Sequence, residues 1–92
     1  MRTIQINYDL RSPGRDYQPV YDYIRSLGTS TRPLESLWLV RTNKTVSEVR
    51  DDLKHTVDTN DEILVIDVTA DWWATNFKDN STDWMYKYMG TV

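Results

Sequence analysis

No cysteine occurs among the 92 residues, which removes disulfides, thiolate zinc sites and thiol nucleophiles together. Histidine occurs once, as His55 beside Lys54, and a lone helical histidine reads as a surface residue before it reads as a general base. No serine–histidine pair is indicated, and Ser12-Pro13-Gly14 lacks the glycine spacing and following lysine of a phosphate loop. No apolar run approaches the roughly 20 residues that span a bilayer, and the N-terminus carries no signal-peptide pattern. These absences predict a cytoplasmic protein with no membrane segment. Basic residues are also in deficit, 11 against 14 acidic ones for a net charge of -3, which argues against non-specific binding to duplex nucleic acid.

What the chain has in abundance is aromatic mass, four tryptophans and six tyrosines, the residue types that dominate cores and interfaces. Its charge is uneven as well. Arg11, Arg15, Arg25, Arg32, Arg41, Lys44 and Arg50 lie in the first part, whereas Asp58, Asp61, Glu62, Asp67 and Asp71 follow one another with no base between them. There is no repeat, low-complexity tract or linker, so residues 1–92 read as one small domain. A chain this short buries only roughly 60 to 65% of its unfolded surface, and dimerisation would help to stabilise it.

The first strand reads Thr3-Ile4-Gln5-Ile6-Asn7-Tyr8-Asp9-Leu10. Ile4, Ile6, Tyr8 and Leu10 share one phase of the two-residue period, and Gln5, Asn7 and Asp9 share the other. Asp9 leaves the sheet beside Arg11 and Arg15, as a turn-starting aspartate or as part of an ion or phosphate site. A helix follows from about Asp16 to Leu27, with Asp16 as cap, Pro19 in its first turn and Gly28 as stop. A second strand is expected from about Leu34 to Thr42, entered through Arg32-Pro33. Thr45 and Glu48 form a capping box for a second helix, whose stripe is Val46, Val49, Leu53 and Val57. The third strand runs from about Glu62 to Thr69. In the remainder, Ala70 to Val92, Asp79 or Ser81 caps a short closing helix containing Trp84, Met85, Tyr88 and Met89.

This order predicts an α+β, ferredoxin-like βαβ-βαβ sandwich with a short aromatic C-terminal segment, in which the first and third strands lie side by side and parallel. Helices then cover one face. If Leu64, Ile66 and Val68 meet them, Ile63, Val65 and Asp67 look outward together with Trp38 and Val40. Such an apolar face predicts a homodimer built by stacking, or a cover supplied by the segment that contains Trp72 and Trp73. Parallel neighbours end at one edge, so Asp9 and Asp67 become candidate ligands for Mg²⁺ or Mn²⁺, with Asp9 the candidate catalytic residue for phosphodiester cleavage. Arg11 and Arg15 are candidate phosphate contacts near the start of the first helix.

Tyr8-Asp9-Leu10-Arg11-x-Pro13-Gly14-Arg15-Asp16-Tyr17, then Leu34-Glu35-Ser36-Leu37-Trp38-Leu39-Val40, then Asn60-Asp61-Glu62-Ile63-Leu64-Val65-Ile66, resembles the small SinR-like proteins related to the CRISPR-associated Cas-two family. The likeness covers nearly the whole chain. It implies a ferredoxin-like fold, a symmetric dimer with sheets facing each other, and Asp9 at a metal position. Three functions follow as expectations: a dimeric module that binds a protein or nucleic acid with little or no catalysis, a Mg-dependent endonuclease using Asp9, or a small acidic inhibitor of a nucleic-acid-binding defence protein.

Overall fold

The computed structural model describes residues 1–11, 14, 16–68 and 80–89. Seven elements follow in order: β1 (Arg2–Asp9), α1 (Gln18–Ser26), β2 (Ser30–Leu34), β3 (Leu37–Thr42), α2 (Val46–Lys54), β4 (Glu62–Val68) and α3 (Ser81–Met89). The strands form one sheet in the order β2-β3-β1-β4, antiparallel at every pairing. The protein is therefore α+β. No helix among the described residues is long and apolar enough to cross a membrane.

The expected strand from Leu34 to Thr42 is in fact the second half of a hairpin. Leu34 pairs with Leu37 across Glu35 and Ser36, a two-residue connection without the Asn-Gly or Asp-Gly pattern that marks such turns. Pro33 lies inside β2, which it can do because β2 is an edge strand and one missing N–H leaves no inner ladder broken. The additional strand reverses the direction of all that follows it. β4, the expected third strand, is consequently antiparallel to β1 and not parallel to it.

Local chemistry accounts for the helix ends. Thr45 accepts from the Glu48 N–H at 3.2 Å while the Glu48 carboxylate accepts from the Thr45 N–H at 3.0 Å, the reciprocal capping box read from the sequence. Asp16 accepts from the Gln18 N–H at 2.9 Å, so it steadies the approach to α1, with Tyr17 rather than Asp16 at the cap position. Gly28 follows α1 with φ near +155°, and a Cβ there would lie 2.1 Å from the Arg41 carbonyl oxygen. Only glycine allows that approach.

Two apolar clusters sandwich the sheet. On the first face Ile4, Ile6 and Tyr8 of β1 and Trp38 and Val40 of β3 meet Val20 and Ile24 of α1 and Val49 and Leu53 of α2, with Ile63 and Val65 of β4 packed at the margin. On the second, Leu39 meets Met85 and Met89 of α3, beside Leu37, Val68 and Trp84. This corrects the expected facing of the later strands. Ile4 is opposite Val40, Ile6 is opposite both Trp38 and Val65, and Tyr8 is opposite Ile63. Cross-strand partners share a face, so Trp38, Val40, Ile63 and Val65 lie on the helix-covered side with β1's apolar phase. Trp38 and Val40 are core and Ile63 and Val65 pack at its margin, so the four do not form an outward row. The outward positions of β4 are instead Leu64 and Ile66, exposed at 55% and 39%. Trp72 and Trp73 fall outside the described residues.

Candidate functional site

Asp9 ends β1 and is exposed, as its polar phase requires. The antiparallel register sets Glu62 directly opposite it, so two carboxylates face each other across the strand ends. Like charges in that position would repel. Arg11 resolves this: its Nη2 lies 2.8 Å from Asp9 Oδ2 and also contacts the Glu62 carboxylate, and its Nε donates to Asp9 Oδ2 at 3.2 Å. The hydrogen bond to Asp9, with the negative charges of Asp9 and Glu62, raises the guanidinium's proton affinity further. Arg11 is thus engaged by carboxylates, while Arg15, the other candidate phosphate contact, falls outside the described residues.

The chain just after β1 is held by Asp61. One of its carboxylate oxygens accepts from the Arg11 main-chain N–H at 2.7 Å and from the Tyr17 hydroxyl at 2.8 Å. The other accepts from the Asp58 N–H at 2.9 Å. A single side chain therefore fastens the exit of β1, the start of α1 and the turn leading into β4. Asp67 is elsewhere. It lies opposite Ile4, five pairs along the ladder from Asp9, which at about 3.4 Å per residue is about 17 Å away. Its partner is Arg2, with Nε at 3.3 Å. Within one chain Asp9 and Asp67 cannot share an ion, and Glu62 takes the place beside Asp9 that sequence reasoning gave to Asp67.

Behind Asp9 is an aromatic wall. The Tyr8 hydroxyl accepts from Trp38 Nε1 at 2.9 Å and donates to the Glu35 carbonyl oxygen at 3.2 Å, and burial pushes its pKa up. Tyr21 packs beside both, its ring centroid 6.2 Å from that of Tyr8 and 6.2 Å from that of Trp38. The Arg32 guanidinium lies 4.8 Å from the Tyr21 ring centroid and 5.4 Å from that of Trp38, and Arg25 lies 5.1 Å from Trp38 on α1's side. Cations over aromatic faces are favourable in this range. Two open clefts flank Asp9, one of about 300 Å³ toward Tyr17, Tyr21 and Arg32, the other of about 390 Å³ toward Asn7, Glu62 and Leu64.

A second polar cluster joins the helices. The Tyr23 hydroxyl and Lys44 Nζ both donate to Asp52, Lys44 at 2.8 Å. The Lys44 ammonium first, and the Tyr23 hydroxyl second, hold the Asp52 carboxyl below its usual range. Burial, followed by the bond to Asp52, raises the Tyr23 pKa.

Asp9 and Arg11 were visible in the sequence, because they sit two residues apart at a strand end. Glu62, Asp61 and Arg32 were not, since each joins the site only through strand register or the hairpin. Chemically, the arginine-bridged pair Asp9–Glu62 supplies oxygen donors of the type that divalent cations take, and one or two carboxylates with waters suffice for Mg²⁺. Arg11 is the group that such a cation would displace. No family model matches the chain, and no solved structure matches it.

Proposed function

We propose that this chain is a homodimeric, ferredoxin-like binding module whose two sheets stack through the outer face of β1 and β4. The succession β-α-β-β-α-β before α3 supports the ferredoxin-like reading. The observation that carries the dimer is the exposure of Leu64 and Ile66 on the edge strand β4. Their neighbours in register are Asn7 and Gln5, which bond each other at 2.6 Å, so this part of the face is partly apolar and uncharged. Contiguous apolar surface of this kind marks an interface more often than a solvated one. A two-fold stack would carry both copies of Asp9, on the same phase of β1, toward a shared rim where a protein or nucleic-acid ligand could be held, as the resemblance to SinR-like and Cas-two proteins implies.

Sedimentation equilibrium tests the dimer. The parent should run at twice its 10.9 kDa chain mass, and Leu64→Lys should return it to a monomer with unchanged circular dichroism. A monomeric parent, or a Leu64→Lys dimer, would remove this reading.

A second reading, a Mg-dependent endonuclease acting on RNA or DNA, draws on the Asp9–Glu62 pair. If it holds, Mg²⁺ or Mn²⁺ shifts the amide resonances of Asp9 and Glu62 and supports cleavage that Asp9→Asn abolishes. Equal cleavage by the variant would sink it.

A further inference from the structure

The cleft between the end of β1, the start of α1 and the β2–β3 turn has Asp9, Leu10, Tyr17, Tyr21, Arg32 and Glu35 in its lining. At about 300 Å³ it lies at the small end of ligand pockets. Its charges are arranged unusually. Arg32 directs Nε and Nη2 to the Glu35 carbonyl oxygen, at 2.8 and 2.5 Å, and its guanidinium is stacked on Tyr21. Among the described residues no carboxylate pairs with it, although Glu35 is three residues away. The Glu35 carboxylate likewise has no cation among them, and Asp9 gives Arg11 only its Oδ2.

A cation and a carboxylate that line one cleft without neutralising each other complement a ligand that carries both signs. Arg32 is pre-oriented by its carbonyl and its ring, so less is lost when its remaining donors take a ligand carboxylate. Glu35 and the second oxygen of Asp9 can accept from an ammonium. The walls between them are phenol rings and Leu10, which suit a flat apolar side chain. We infer that this cleft binds a small aromatic amino acid as its zwitterion, carboxylate toward Arg32, ammonium toward Glu35 and Asp9, ring against Tyr17 and Tyr21. This assignment goes beyond the dimer reading and does not depend on it, because the cleft's residues come from one chain.

The test is a heteronuclear NMR titration of the ¹⁵N-labelled full chain with L-phenylalanine, 2-phenylethylamine and phenylacetate in parallel. L-Phenylalanine should shift the Tyr21, Arg32, Glu35 and Ser36 amides saturably. Each analogue lacks one charge and should bind at least about tenfold more weakly, the effect of losing a hydrogen bond to a charged group. Arg32→Gln should weaken phenylalanine binding to the same degree. Glu35→Gln, at an exposed turn where folding is not at stake, should weaken phenylalanine and leave phenylacetate unchanged. Absence of saturable shifts overturns the proposal, as does equal affinity for phenylalanine and either analogue, or indifference to both substitutions.

Discussion

The two faces of the sheet are built from the same strands and differ in how completely they are closed. On the α1/α2 side, Ile4, Ile6, Val20, Ile24, Val40, Val49 and Leu53 are fully buried. On the α3 side, the buried cluster among the described residues is Leu39, Met85 and Met89, and Leu64 and Ile66 are open. The difference lies in side-chain type as much as in area. Aliphatic and β-branched groups with few rotamers fill the first face, whereas two flexible methionines fill the second and pack less specifically. The first face holds the fold, and the second is where the molecule has surface left to use.

Alanine substitutions measure this contrast. Leu53→Ala should cost about 3 to 5 kcal/mol in urea unfolding, because a fully buried leucine leaves a cavity in the core between α2 and the sheet. Met85→Ala should cost less, about 2 kcal/mol, since the α3 cluster is smaller and its walls can relax. Leu64→Ala should fall within about 0.5 kcal/mol for the isolated chain. A Leu64→Ala loss as large as that of Leu53→Ala would abolish the distinction between the faces, unless it vanished on dilution, in which case it reports the dimer.

Acid sharpens the same comparison at the rim of the closed face. Asp52 is lowered by Lys44 and Tyr23, and Glu48 by its hydrogen bonds with Thr45. A carboxyl whose folded pKa lies below its unfolded one favours the native state above the unfolded value, about 3.9 for Asp and 4.3 for Glu, and that contribution is lost as pH falls through the folded value. Stability should therefore decline below about pH 4. Asp52→Asn should lower stability at neutral pH and flatten the decline, as read by unfolding midpoints across pH. An unchanged profile would show that the Tyr23–Asp52–Lys44 contact contributes nothing.

Features set by neighbouring residues were legible in the sequence. The Thr45–Glu48 box, the Gly28 stop, the alternation of β1 and the closing helix at Ser81 all depend on spacings within one element. What was not legible depended on one turn. Glu35-Ser36 carries no turn signature, so nothing local in the sequence marks the hairpin that sets the direction of β4. The run Ile63-Leu64-Val65-Ile66 is apolar in both phases, so periodicity could not decide which side faces the helices. Register decides it, and register also replaced Asp67 with Glu62 as the neighbour of Asp9. Arg32 and Asp61 gained their roles through contacts across more than one element, which no local pattern announces.

β4 closes the sheet at one edge, and its sequence has the features of an aggregation-prone segment. Four consecutive aliphatic residues, with no proline or glycine, stand between Glu62 and Asp67. Those two carboxylates act as gatekeepers, because a second strand docking in register would bring charge against charge. Without those charges the same edge is a template for cross-β growth, so a Glu62→Gln, Asp67→Asn double variant should show higher turbidity and thioflavin fluorescence than the parent chain.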